Sequence, residues 1–200
     1  RTVRLGDVTD INPVKVKPAE PTGRVEYIDI ASVSTRRVDS TLVTTWSEAP
    51  GRARRGVRDG DVIFSTVRPN RRSFALLVAP SAECVVSTGF AVIRAGEEIG
   101  TSAVAAIADS LDFSDYLTSM TEGSAYPAVS AAAVAAYNVA LPPAEVIRDY
   151  EDRTMPLRRR AAQADLESSL LAELRDALLP ELLSGRLRVP VAAELVEAAT

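Results

Sequence analysis

The sequence predicts an α+β protein: a twisted, mainly antiparallel β-sheet or partly open barrel with short helices, followed by a long C-terminal coiled-coil helix. Three observations predict it. Short β-branched and aromatic segments separated by turn signals fill the first hundred residues. Alanine-rich stretches at helical spacing follow. From residue 156 onward, apolar residues recur at alternating steps of four and three, the seam of a coiled coil. With 200 residues, 46% of them hydrophobic and 25% charged, the chain can bury a core without a disulfide or metal staple.

Val25-Glu26-Tyr27-Ile28-Asp29-Ile30 alternates partially and follows a Pro/Gly stretch (Pro18 to Gly23), as an entering strand does. Val62 to Val67 follows the turn signal Arg58-Asp59-Gly60-Asp61 and reads as a buried strand. Phe74 to Ala79, Cys84 to Ser87 and Phe90 to Ile93 continue the series. Ser102 to Ser119 then sets Val104, Ile107, Leu111 and Tyr116 or Leu117 near helical spacing. A loop over 121–127 leads to the alanine-rich segment Ser130 to Ala136. Asn138 to Leu141 is a last short strand, closed by Pro142 and Pro143.

Residues 1–143 are expected to form the globular domain, 144–188 the long helix and 189–200 a tail. From Pro156 to Ser184 there is no glycine, and Pro180 is the only interruption. Leu157, Ala161, Ala164, Ser168, Leu171, Arg175, Leu178 and Leu182 make the seam, and Leu166, Leu170, Leu174, Ala177 and Leu179 make a second stripe. These 29 residues would span roughly 43 Å. Gly185 stands where a C′ residue belongs. The plainer alternative is a helix folded back on its own sheet; two apolar stripes favour burial against another helix.

Several chemistries are excluded by composition. There is no histidine, which removes Ser-His-Asp and Cys-His sites and the usual zinc sites. The one cysteine, Cys84, sits in an apolar strand and reads as an inert buried thiol. The only lysines are Lys15 and Lys17, preceded two positions earlier by Pro13 and Lys15, so the D/E-x-K triplet of many nucleases is missing. Neither a G-x-x-x-x-G-K-[ST] loop nor a G-x-G-x-x-G fingerprint occurs. No apolar run is long enough for a membrane span, and there is no signal-peptide core. A soluble, cytoplasmic, non-catalytic protein without cofactor or metal is expected.

Charge is unevenly placed. Residues 1–100 hold 15 basic and 12 acidic side chains, against 8 and 15 in residues 101–200, which accounts for the net −4. Between Arg36 and Arg72 there are nine arginines and four acids. Such a patch suits a localised anionic partner, although a solvated arginine-rich surface would look the same.

The ordered set of motifs resembles a known family nearly end to end. They are Val3-Arg4-Leu5-Gly6-Asp7-Val8, then Gly60-Asp61-Val62-Ile63-Phe64-Ser65-Thr66-Val67-Arg68-Pro69, then Ser87-Thr88-Gly89-Phe90-Ala91-Val92-Ile93-Arg94. Gly123-Ser124-Ala125-Tyr126-Pro127-Ala128-Val129-Ser130 and Leu141-Pro142-Pro143 follow, and the set ends on Leu174-Arg175-Asp176-Ala177-Leu178-Leu179-Pro180-Glu181-Leu182-Leu183-Ser184-Gly185. Together they resemble a half-subunit of the Type I restriction–modification specificity protein, one target recognition domain with one spacer helix. The resemblance implies a subunit that selects double-stranded DNA for a methyltransferase subunit to modify and a restriction motor subunit to cut. Family members usually carry two recognition domains. This chain has one, so either two copies pair through the helix, or the chain is part of something longer.

Candidate DNA contacts follow. Arg52, Arg54 and Arg55 follow Pro50-Gly51, with Arg36 and Arg37 before them, and the spacing in this Gly/Pro-flanked loop suits a flexible arm in a groove that contacts phosphate or reads guanine, or else a solvated surface. Arg68, Asn70, Arg71 and Arg72 end a buried strand; Arg68 is equally suited to bracing the fold, whereas Arg71 and Arg72 point to DNA. Ser124 and Tyr126 offer a phosphate-binding loop or a simple turn before a helix capped by Ser130. Trp46 and Thr45 fit thymine methyls or the core. The helix candidates for pairing are Leu157, Ala161, Ala164, Leu171, Leu174, Leu178 and Leu182. Two further readings stay open: a stand-alone DNA-binding regulator, and a coiled-coil interaction protein that binds no nucleic acid.

Overall fold

A computed structural model describes residues 1–17, 20–121 and 128–188. The elements, in order, are β1 (Thr2–Arg4), α1 (Leu5–Val8), β2 (Thr9–Ile11), β3 (Arg24–Ile28), β4 (Val33–Ser34), β5 (Arg37–Val38), β6 (Leu42–Thr45), β7 (Ala53–Gly56), β8 (Val62–Ser65), β9 (Phe74–Leu76), β10 (Cys84–Ser87), β11 (Phe90–Ala95), α2 (Thr101–Asp109), α3 (Leu111–Ser119), α4 (Ala131–Ala135), β12 (Asn138–Ala140) and α5 (Ala144–Leu183). Single 3-10 turns cover Ile30–Ser32 and Pro69–Arg71. The chain divides into two compact units, Arg1–Leu157 and Arg158–Thr200.

The first unit is built on two four-stranded sheets, ordered β2-β11-β8-β9 and β6-β3-β10-β7. Pairing is antiparallel throughout except between β3 and β10. Among the described residues neither sheet closes into a barrel. Side-chain alternation explains why β8 is apolar on both faces. Val62 and Phe64 join Leu5, Val104, Phe113 and Leu117 under the helices, whereas Ile63 joins Val86, Phe90 and Val92 between the sheets. Phe64 and Phe113 meet edge to face with centroids 5.1 Å apart, and each such buried ring contributes about 1.5–3 kcal/mol. A smaller cluster of Val25, Tyr27, Ala53 and Val85 packs with Val16, Trp46 and Ala49, so Trp46 belongs to packing.

The 102–119 stretch is two helices rather than one. Ser110 breaks it: its extended backbone ends α2, and its hydroxyl accepts from the Phe113 amide at 3.2 Å to cap α3. The turn before β8 is as expected, with Gly60 at φ 84 and the Asp61 carboxylate accepting from the Arg58 amide at 2.9 Å. Asp61 is fully buried and also accepts two parallel bonds from Arg94, Nε to Oδ1 and Nη2 to Oδ2, both 2.8 Å. That fork ties the turn to β11.

Helix α5 begins after Pro142-Pro143 and continues through both Pro156 and Pro180. Its first turns belong to the globular unit. Ile147 is buried there, and the Glu151 carboxylate accepts from the Ser102 amide at 2.7 Å, capping α2. Past the helix end, Gly185 takes the left-handed φ of 72 expected of C′.

Candidate nucleic-acid interface

The site is assembled around the end of β8. Beyond Ser65 the chain makes the Pro69–Arg71 turn, flanked by Arg68 at φ 51 and Arg72 at φ 53. Left-handed backbone at a non-glycine residue costs roughly 1–2 kcal/mol, so two such residues must be held from outside. Three contacts do this. The buried Ser114 hydroxyl donates to the Pro69 carbonyl at 3.1 Å, the Thr35 hydroxyl donates to the Arg72 carbonyl at 3.1 Å, and the Arg72 guanidinium donates to Asp109. The sequence thus places an arginine-bearing turn on a rigid strand, clamped by α3 and by the β4–β5 segment.

Beside this turn lies an open groove of about 580 Å³, lined by Arg52, Arg68, Arg71, Asp29, Asp39, Ser34, Thr35 and Ser73 together with apolar Ile30, Ala31, Val33 and Val67. Arg71 is exposed and has no acidic partner among the described residues. Arg52 is largely exposed, its Nη2 3.8 Å from Asp29. Asn70 is exposed on the same turn. Two or three guanidinium forks in one groove can straddle phosphate oxygens or meet the O6 and N7 of guanine.

The other predicted arginines are committed elsewhere. Arg54 and Arg55 do not form a flexible arm: both lie within β7, because the backbone of that segment is claimed by pairing with β10. Arg54 stands over the Trp46 ring at 5.9 Å and donates to the Ala53 carbonyl. Arg55 donates to the Asn12 side chain, and burial lowers its pKa from the usual guanidinium value. Arg37 pairs with Asp39 at 2.7 Å. Arg36, exposed at φ 69, donates to Asp109, whose hydrogen bond raises its pKa. Arg72 is half-buried on the same carboxylate rather than facing the groove. Ser124 and Tyr126 lie outside the described residues; the chain is described again from Ala128, which bridges Val67.

Asp109 is the residue that sequence reasoning missed. It ends α2, 73 positions from Arg36 and 37 from Arg72, and no local motif announces a partner so distant. Cys84 is buried, and desolvation pushes its thiol pKa up to about 12. Among the described residues no histidine, cysteine or acidic group of three or more is placed to hold a metal, and no helix is long and apolar enough to cross a membrane.

The second unit presents its leucines to solvent. Leu166, Leu170, Leu171, Leu174 and Leu179 are each between 48% and 63% exposed. Leu182 and the alanines Ala161 and Ala164 are exposed as well, Leu178 less so, and Leu157 at the end of the first unit is 69% exposed.

Comparison with known proteins sets this geometry in context. No protein-family model matches the chain, and no curated protein matches it. Solved structures do. A chain from the work titled "Structural basis underlying complex assembly and conformational transition of the type I R-M system" aligns with a TM-score of 0.68 and 29% identity, over 95% of this chain and 50% of its own length. The HsdS subunit from Thermoanaerobacter tengcongensis aligns with a TM-score of 0.64 and 30% identity, over 86% of this chain and 47% of its own. A mixed domain of twisted, mainly antiparallel sheets that do not close into a barrel, followed by a long helix, matches the fold of specificity subunits of type I restriction–modification systems. This chain spans about half the length of the structures it matches, a span that fits a half-subunit of that type.

Proposed function

We propose that the chain reads one half of a two-part DNA site within a type I restriction–modification complex. The observation that carries this reading is the alignment over 95% of the chain at 29% identity with a chain of such a system. The groove holding Arg52, Arg68 and Arg71 is the proposed contact with double-stranded DNA, and Asn70 is the proposed partner of an adenine edge. Residues 1–143 act as the recognition domain and 144–188 as the spacer helix. The exposed leucines from Leu166 to Leu182 support pairing with another helix: a second copy of this chain, with the same surface docking a methyltransferase subunit. Helix length then fixes how many base pairs go unread between two reading heads. The chemistry of modification and cleavage belongs to the methyltransferase and restriction subunits, and the complex works in the cytoplasm.

Selection from a random-sequence duplex pool tests this. The chain, assembled with a type I methyltransferase subunit, should enrich one two-part sequence. Arg71→Ala should weaken that binding by roughly 5- to 150-fold if Arg71 reads a base, as a good bidentate contact would. Enrichment of no sequence by an intact assembly would remove the DNA-reading function.

A further inference from the structure

We propose that Asp109 is the positioning residue of the groove: it withholds Arg36 and Arg72 from DNA and fixes the turn that carries Arg68 and Arg71. The inference rests on the DNA-reading function proposed above and assigns within it a residue that touches no DNA.

One carboxylate joins three distant segments. Its Oδ2 accepts from Arg36 Nε at 2.9 Å and Nη2 at 2.8 Å, and its Oδ1 accepts from Arg72 Nη2 at 3.0 Å. The Asp109 main-chain carbonyl accepts from Arg72 as well. Both arginines have left-handed backbone, Arg36 at φ 69 and Arg72 at φ 53. Two cations therefore converge on the C-terminal end of α2, where the helix dipole also favours positive charge. Arg72 Nε is buried without a hydrogen-bond partner. Through the Thr35 hydroxyl on the Arg72 carbonyl, the β4–β5 segment is tied to the Pro69–Arg71 turn.

Removing this carboxylate has two effects of opposite sign. Two arginines lose their only acidic partner among the described residues and become available to phosphates, so non-specific binding gains counterion release. The turn loses its clamp, and a base contact tolerates a displacement of only about 0.5 Å. A residue that merely stabilised the fold would produce neither effect.

Fluorescence-anisotropy titrations across a salt series test the proposal, using the chain assembled with its methyltransferase subunit. The probes are the two-part duplex recovered by selection and a scrambled duplex of equal length. Asp109→Ala should steepen the log–log salt slope on the scrambled duplex by up to about 2. It should also lower the ratio of specific to scrambled affinity roughly tenfold, the loss expected of one misplaced bidentate contact. Asp112→Ala removes the same charge from the exposed start of α3 and should keep the wild-type slope and ratio. If Asp109→Ala does not fold, Asp109→Asn keeps the side-chain volume and one oxygen acceptor, and should still lower the ratio. Slope and ratio equal to those of Asp112→Ala, even with a lower Tm, would overturn the proposal. A wild-type assembly with no sequence preference would instead overturn the DNA-reading function.

Discussion

Arg94 and Asp61 show what an arginine does in this fold when it is not at the groove. The pair is bidentate, with side chains only 13% and 1% exposed, and its hydrogen bonds hold the Arg94 pKa above the usual guanidinium value. Replacing Arg94 with Met leaves a buried, uncompensated carboxylate and should cost about 3–5 kcal/mol in urea unfolding. Arg153, paired at 2.8 Å with Asp149 on the surface of α5, should cost under about 1 kcal/mol when replaced by Ala. Equal losses at the two sites would contradict this assignment of roles. Cys84 offers a second check. With its thiol pKa pushed up to about 12, it should resist alkylation at pH 8 in the folded protein and react on unfolding. The folded state keeps this proton above the ordinary thiol pKa of 9.0, where the unfolded state loses it, so this group's contribution to stability falls as pH rises from 9.0 toward about 12. Rapid native labelling would show that the strand opens.

At the scale of elements, sequence pattern served best where one side chain's environment dominates. β8 and β10 were legible because each is an apolar run closed by turns, and Ser130 and Gly185 because caps are local. Strand β7 was not legible: Ala-Arg-Arg-Gly carries no strand pattern, and only pairing with β10 and the bridge from Lys15 to Arg55 make it one. Strands β4 and β5, two residues each, are likewise made by mutual pairing. The same limit governed the site. The arginine cluster was visible as composition, whereas its sorting into groove, sheet and brace depends on Trp46, which no motif links to Arg54, and on Asn12 and Asp109, both distant in sequence. Helix α5 gives the element-scale prediction. Leu171→Glu with Leu178→Glu should abolish self-association or methyltransferase docking in sedimentation velocity, while the melting of the Arg1–Leu157 unit, whose core lies elsewhere, shifts little. Assembly unchanged by both charges would remove the helix from the interface.

At the scale of the molecule, the decisive fact is length: the described residues hold one groove lined by Arg52, Arg68 and Arg71 and one long helix, against structures about twice as long. Two copies joined through antiparallel helices would present two identical grooves related by a twofold axis, and such a reader selects a palindromic two-part site. A single groove on a longer chain would select two unlike halves instead. The two arrangements differ in the symmetry of the motif, which can be read without any structure.

The most direct measurement is therefore the base-modification map of the genome in cells that contain this chain and in cells from which it has been deleted, with Arg71→Ala restored as a third strain. DNA selection by this chain predicts one two-part methylated motif that vanishes on deletion and is strongly depleted with Arg71→Ala. An identical set of methylated motifs in all three strains would contradict it.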